Sequence, residues 1–175
     1  MLLDLTEPLK YQGDSCSFSL EGTLPQDALP QGVALCAPVM VSGTLTAIGH
    51  RVALVGNIQT TVRASCALCL YPVTARIDCA FDAMMIREGY ENEQIDAEEQ
   101  AAEEDAIVFQ GSVCDLTWAV AEAVNLQLPM RFVCSESCKG LCPVCGADLN
   151  HETCGCAPTM DSPFSALAAL YSKDE

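Results

Sequence analysis

The sequence has no long apolar run and few basic or aromatic residues. A helix that spans a bilayer needs ~20 consecutive apolar residues, and no stretch of this chain approaches that length. Its start, Met1-Leu2-Leu3-Asp4, lacks the basic and long apolar regions of a signal peptide. We therefore expect a cytoplasmic protein that does not bind membranes. With one Trp and five Phe among 175 residues, its core must be mainly aliphatic.

The scarcity of basic residues also limits the partners. The chain has 24 acidic and 8 basic residues, which gives a formal charge of −16. A field of this sign repels the phosphate backbone of nucleic acids. DNA binding is therefore not expected, and direct RNA contact is left open. A basic protein matches the charge better, and the alternative is that the acidity serves only solubility.

Cysteine, by contrast, is abundant, and eight of the twelve cysteines lie in short clusters. In a reducing compartment such clusters favour metal binding over disulfides. Zinc prefers four thiolates in tetrahedral geometry, so eight thiolates make two sets and predict one or two structural zinc ions. The first predicted site consists of Cys66, Cys69, Cys134 and Cys138. The second consists of Cys142, Cys145, Cys154 and Cys156.

Other interpretations of the same cysteines stay open. In one of them Cys66 and Cys69 are a redox pair, although a thioredoxin-like pair should open a helix and Pro72 with a strand pattern follows here. In a second, the six C-terminal cysteines share a single ion. An iron–sulfur cluster and His151 as a substitute ligand are the remaining alternatives.

Alternating polarity predicts strands in the first half of the chain. One face of the longest pattern consists of Val52, Leu54, Ile58 and Val62. Period 2 over such a length is typical of half-buried antiparallel strands. Gly49-His50 is suited to a hairpin turn, and the Cys66 cluster falls at the next reversal. We therefore predict an α+β fold: an antiparallel β-meander or barrel-like sheet, one or two packed helices and a C-terminal zinc-knuckle segment.

The second half alternates between loop and helix signals. Nine of the eighteen residues from 88 to 105 are acidic, which is typical of a solvated loop. A helix is predicted at about 113–127, with Ser112 and Asp115 as a capping box and Gln127 on its buried stripe. A last helix begins at Ser162-Pro163. These patterns divide the chain into a β-rich domain, 1–130, and a cysteine-rich segment, 131–175, with no internal repeat beyond the clusters.

Residues that would form a catalytic site are not apparent in the sequence. His50 and His151 have no obvious Ser or Asp partner, and no Gly-rich phosphate loop is present. Closed four-thiolate sites also leave no open coordination position for a catalytic zinc. We therefore expect no enzymatic activity. A thiol–disulfide oxidoreductase that uses Cys66 and Cys69 is the alternative.

The chain resembles the bacterial YceD family, a domain of unknown function, over nearly its whole length and most specifically in its C-terminal part. The similarity lies in Leu128-Pro129-Met130, in the run from Cys138 to Asn150 and in Cys154-Gly155-Cys156. It is weaker in Cys66-Ala67-Leu68-Cys69-Leu70-Tyr71-Pro72-Val73, where Leu68 occupies the place of a usual Arg. The closing motif Asp161-Ser162-Pro163-Phe164 also departs from the family pattern, with an inserted Ser and no Arg.

This resemblance implies a role in ribosome biogenesis, because the family is implicated in accumulation of large-subunit (23S) ribosomal RNA. It implies ribosomal precursor particles as partners and no catalytic activity. The combined hypothesis is a non-enzymatic, zinc-stabilised ribosome-biogenesis factor that contacts a basic ribosomal protein. A structural zinc-binding module unrelated to ribosomes is the remaining alternative.

Overall fold

The computed structural model describes residues 1–11, 13–90 and 106–156. Its strands are β1 (Leu2–Asp4), β2 (Ser15–Gly22), β3 (Ala34–Leu35), β4 (Val39–Ile48), β5 (Arg51–Ser65), β6 (Pro72–Arg87), β7 (Ile107–Phe109) and β8 (Val113–Asp115). Its helices are α1 (Thr6–Lys10) and α2 (Thr117–Gln127), with a 3₁₀ turn at Gln26–Ala28. The predicted α+β class is confirmed.

The sheet is open rather than barrel-like. Its strand order is β2-β4-β5-β6-β7, and β3 pairs separately with β5. Within the described ranges the edge strands β2 and β7 do not pair with each other, so the predicted closure is wrong. The meander is also incomplete, because β7 runs parallel to β6. A parallel return needs a long connection, which residues 88–106 supply.

Some predictions fall on residues that the structure leaves out. The acidic stretch 88–105 is described only at Glu88, Gly89 and Tyr90, and the helix predicted from Ser162 lies wholly outside the described residues. In the three described ranges, no helix is both long and apolar enough to cross a membrane.

The strand faces follow the alternation of the sequence. The predicted inner positions Val52, Leu54, Ile58 and Val62 are at most 1% exposed. Ile48 pairs with Arg51 around Gly49, whose φ of 63° suits a tight hairpin. Both the predicted inner face and the predicted turn are therefore confirmed.

The buried side chains form two clusters along the sheet. The larger one packs the inner face of β4 and β5 against Leu5, Val120 and Val124, and so holds α1 and α2 on one side of the sheet. The smaller one lies toward the turn between β5 and β6 and consists of Val33, Val62, Ala64 and Ile77. This second cluster borders the cysteines of that turn.

Helix α2 begins four residues later than the sequence predicts. Residues Val113–Asp115 form β8 instead, because pairing with β1 satisfies their backbone groups. Ser112 contributes its backbone carbonyl to Leu5, so the capping box is wrong. The carboxylate of Asp115 does accept the Thr117 amide, at 2.9 Å. Gln127 is exposed, and the buried side of the helix consists of Val120, Ala121 and Val124.

The ribbon of β1 and β8 contains an internal repeat that the sequence prediction missed. The repeat consists of Asp4-Leu5-Thr6 at the end of β1 and Asp115-Leu116-Thr117 at the end of β8. In both copies the Thr amide donates to the Asp carboxylate, at 2.8 and 2.9 Å. Both leucines are fully buried, and their amides bond Ser112 and Met1 across the ribbon. The repeat thus starts both helices in the same way.

Two facing glycines allow β4 and β5 to approach closely. Gly43 pairs with Gly56, and Phe18 and Phe81 flank them in the same row of the sheet. A Cβ on Gly43 would lie 2.3 Å from the carbonyl oxygen of Val55. Glycine inside a strand often marks such close backbone contact. The row therefore has no space for a side chain at its centre.

Replacing either glycine by alanine should destabilise the fold. The added methyl group forces the two backbones apart, and overpacking of this kind costs about 1–3 kcal/mol. Urea denaturation of Gly43→Ala and Gly56→Ala should show that loss in the free energy of unfolding. Ser42→Ala, on the exposed face beside Gly43, is the control and should change it by less than about 0.5 kcal/mol. Unchanged midpoints in both glycine variants would contradict the close approach.

Candidate metal centres

The turn between β5 and β6 is built around Cys66. Its amide donates to the carbonyl of Tyr71 at 2.8 Å, and its carbonyl accepts the amide of Leu70 at 3.0 Å. The amide of Leu68 points at the Cys66 Sγ from 3.5 Å. Leu70 has a φ of 62°. This left-handed conformation is energetically unfavourable for a residue that has a side chain. This compact knuckle presents the sulfurs of Cys66 and Cys69 on one side.

Backbone bonds bring the segment after α2 onto this turn. The carbonyl of Phe132 accepts the amide of Ala67 at 2.8 Å, and the carbonyl of Leu68 accepts the amide of Leu141 at 3.0 Å. The two bonds fix the chain on either side of Cys134 and Cys138. The second cysteine pair is therefore positioned by backbone contacts and not only by its own side chains.

The first set of sulfurs has the dimensions of a zinc tetrahedron. The Sγ of Cys66 lies 3.9 Å from that of Cys138, and the Sγ of Cys69 lies 3.5 Å from that of Cys134. All four sulfurs lie within 4.8 Å of one another. A Zn–S bond of ~2.3 Å implies a sulfur–sulfur separation of about 3.8 Å. The four cysteines are free thiols, and they fit a single zinc ion.

The second set repeats the same turn in a short loop. The amide of Cys142 donates to Ala147 at 2.8 Å, and its carbonyl accepts the amide of Gly146 at 2.9 Å. Gly146 holds the position of Leu70 in the first turn, with a φ of 76°, which glycine adopts at little cost. The four sulfurs of Cys142, Cys145, Cys154 and Cys156 also lie within 4.8 Å of one another.

The two centres differ in how deeply they lie. Cys66 and Cys69 are 0% and 8% exposed, and the neighbouring Phe132 packs against the smaller core cluster. In the second centre Cys145 and Cys156 are exposed. Each set also contains the opposite case, because Cys134 is exposed and Cys142 is buried. The first set is therefore the more deeply buried of the two by one cysteine, and it adjoins the core cluster through Phe132.

Backbone amides favour one thiolate in each centre. Hydrogen bonds from the amides of Cys69 and Leu68 lower the pKa of the Cys66 thiol to about 6. The amides of Cys145 and Val144 lower the pKa of Cys142 to about 6 as well. The first cysteine of each Cys-x-x-Cys turn is therefore prepared as an anionic ligand before any metal binds.

One thiol in each set, Cys134 in the first and Cys156 in the second, has a raised pKa. Hydrogen bonding with the neighbouring thiol of Cys138 raises the pKa of Cys134 to about 12. The same effect of Cys145 raises the pKa of Cys156 to about 12. Because like charges this close oppose ionisation, the complete set of thiolates needs a cation at its centre.

The structure brings the eight predicted ligands together in the two predicted sets. Cys134 and Cys138 group with the strand turn, so one ion shared by the six C-terminal cysteines does not fit. His151 is no substitute ligand: its side chain is 77% exposed, and its Nε2 lies 3.9 Å from the Asp148 carboxylate.

Asn150 is the residue near these centres that the sequence prediction missed. Its Nδ2 donates to the Sγ of Cys138 at 3.5 Å. The sequence contains one relevant pattern, Asp148-Leu149-Asn150. An Asp side chain often accepts the backbone amide two residues later, so this pattern predicts a local turn. That pattern predicts the turn but does not indicate which sulfur the amide reaches.

Comparison with protein families identifies the family to which the chain belongs. A family model described as "Large ribosomal RNA subunit accumulation protein YceD" matches residues 54–171. The chain belongs to the YceD family. The matched region contains all eight clustered cysteines, β6 and α2, and the resemblance seen in the sequence is confirmed.

Curated relatives support the same grouping. The chain is 24% identical over 157 residues to "Large ribosomal RNA subunit accumulation protein YCED homolog 1, chloroplastic" of Zea mays, covering 77% of this chain and 54% of the relative. It is 30% identical over 125 residues to an uncharacterized protein of Mycobacterium tuberculosis, covering 71% and 56%. The chain thus spans about half the length of these relatives. No solved structure matches it.

We expect each centre to hold one zinc ion. Elemental analysis of the reduced wild-type protein should give about two zinc ions per chain, and Cys66→Ser and Cys145→Ser should each give about one, because a set of three thiolates no longer closes the tetrahedron. Cys36→Ser, at an exposed cysteine outside both sets, is the control and should keep both ions. A metal loss confined to Cys145→Ser would remove the first centre.

Zinc affinity should fall as the pH falls, since only thiolates bind the metal. At neutral pH the thiols of Cys134 and Cys156, with pKa values raised to about 12, must release protons when zinc binds. Below about pH 6 the thiols of Cys66 and Cys142 also take up protons that compete with the metal.

Zinc titrations by calorimetry in buffers of different ionisation enthalpy measure this proton release. The thiols of Cys66 and Cys142 have pKa values of about 6. Chelator competition at about pH 5.5 and 7.5, on either side of that value, should therefore show weaker zinc binding at the lower pH. Equal affinities at the two values would contradict thiolate ligation.

Proposed function

We propose that this protein is a non-enzymatic, zinc-stabilised ribosome-biogenesis factor that supports accumulation of large-subunit (23S) ribosomal RNA. The observation that carries the proposal is the family match over residues 54–171, which includes both cysteine centres. The maize relative is named for large ribosomal RNA subunit accumulation. The proposed site of action is the bacterial cytoplasm, where ribosomal precursor particles assemble.

Zinc is the metal that we propose for both centres. Each set offers four sulfurs and no oxygen or nitrogen ligand, the donor set of a closed structural zinc site. A site closed by four protein ligands leaves no position for water or substrate. The metal would therefore shape a surface, and the work of the protein would be binding.

A basic ribosomal protein is the partner that we propose on those particles. The chain carries a formal charge of −16, and a zinc ion on four thiolates keeps a further net charge of about −2. Such a surface attracts a basic protein and repels bare nucleic acid. We therefore propose that the chain first contacts a protein of the particle and that DNA and membranes are not partners.

A thiol–disulfide oxidoreductase is a weaker candidate. The low pKa of Cys66, about 6, favours a reactive thiolate. The side chain is nevertheless fully buried and lies among three other sulfurs, where an external disulfide does not reach it.

A structural zinc module unrelated to ribosomes is the other alternative. It would have the same two cysteine sets and would differ only in its partner.

The tagged full-length protein should sediment with large-subunit precursor particles. Cys66→Ser should reduce that association, because the first centre anchors the segment after α2 to the sheet. Cys36→Ser should sediment like the wild type. Immunoblots of sucrose-gradient fractions measure the distribution of all three proteins.

Two outcomes would contradict the proposal. Wild-type protein that stays at the top of the gradient would favour a module unrelated to ribosomes. Disulfide reductase activity that is lost in Cys66→Ser with Cys69→Ser, while metal content and folding persist, would favour the oxidoreductase.

A further inference from the structure

One side chain connects the loop of the second centre to a ligand of the first. Asn150 lies between Cys145 and Cys154 of the second set. Its Nδ2 donates to the Sγ of Cys138, a member of the first set, at 3.5 Å. The bond therefore crosses from one candidate centre to the other.

Two further bonds fix the orientation of this amide. The Oδ1 of Asn150 accepts the backbone amide of Lys139 at 2.8 Å. Its Nδ2 also donates to the Asp148 carboxylate at 2.7 Å, and the same oxygen accepts the Asn150 backbone amide at 2.9 Å. A flipped side chain would set its NH₂ group against the Lys139 N–H. The donor therefore faces the sulfur.

Backbone contacts hold the linking residues between the two centres. Leu149 donates to the carbonyl of Gly140 at 3.0 Å, and Leu141 donates to that of Leu68 in the first turn at 3.0 Å. A Cβ on Gly140 would lie 3.0 Å from the Leu68 carbonyl oxygen. The segment 139–141 is thus enclosed by the loop of the second centre on one side and the turn of the first on the other.

We propose that Asn150 is a positioning residue that couples metal binding at the two centres. Closure of the loop around the second metal orders Asn150, whose amide then stabilises the Cys138 thiolate at the first. The inference rests on the proposed binding of zinc. Groups that hydrogen-bond a metal ligand change metal affinity by about 10–100-fold, and such coupling acts equally in both directions.

The test is a chelator titration of the zinc-loaded full chain, followed by NMR. The amide of Leu68 reports on the first centre and that of Gly146 on the second, because each belongs to its turn. Asn150→Asp keeps the acceptor for Lys139 but turns a carboxylate oxygen toward the thiolate. It should lower the zinc affinity of the first centre about 10-fold or more.

Emptying the second centre with Cys145→Ser and Cys156→Ser should weaken the first centre to a similar extent. Adding Asn150→Asp to that variant should change little more, because both substitutions disrupt the same contact. Ser137→Ala is the matched control: it lies next to Cys138, its hydroxyl contacts Ser135, and it should leave the affinity unchanged. Unaltered β5 amide signals check that every variant is folded.

The outcomes separate this inference from the function on which it rests. Wild-type protein that holds two zinc ions, with a first centre unaffected by either variant to within about twofold, overturns the coupling and leaves zinc binding intact. Wild-type protein that holds no zinc overturns both. Additive losses in the combined variant would also overturn the role of Asn150, because they require two independent contacts.

Discussion

The approach of the four sulfurs of the first centre is the constraint that positions the cysteine-rich part of the structure against the sheet. They join the turn after β5 to the segment after α2, and Cys69 and Cys134 are 65 residues apart. Apart from this tie, that segment contacts the sheet region through the backbone bonds of Phe132 and Leu141 to the turn and through Leu128 and Phe132, which are partly buried against the smaller core cluster. A cross-link over a loop of this length restricts the unfolded chain by about 4 kcal/mol. A metal ion bound there would therefore fix the residues around Cys134 and Cys138 against the sheet.

The second centre contributes in a different way. Cys142 and Cys156 are only fourteen residues apart, so a metal there restricts a short loop and orders it locally. That loop carries Asn150, which contacts the Lys139 amide and the Cys138 sulfur at the first centre, and Asp148, whose carboxylate orients Asn150. Its importance therefore lies in the residues that it presents, and the two turns form one surface rather than two separate knuckles.

Much of this arrangement could be predicted from the sequence, because two of its signals are strictly periodic or strictly spaced. The alternation through Val52 and Val62 predicted the inner face of β5, and the clustering of eight cysteines predicted the two sets whose sulfurs the structure brings together. The start of α2 could not be predicted, since Val113–Asp115 adopt strand pairing with a segment over a hundred residues away. Neither the parallel pairing of β7 nor the contact of Asn150 with Cys138 has a local signature, because each depends on how distant segments meet.

The order in which the chain is made gives the 65-residue separation a further consequence. The β5–β6 hairpin is complete well before Cys134 is synthesised, so Cys66 and Cys69 emerge without their partners. At a synthesis rate of about 5–20 residues per second, that interval lasts roughly 3–13 seconds. During this time the sulfurs of Cys66 and Cys69 are accessible to oxidants and to competing metal ions. In the nascent chain, the turn after β5 is therefore open to chemistry that the folded protein excludes at the buried Cys66.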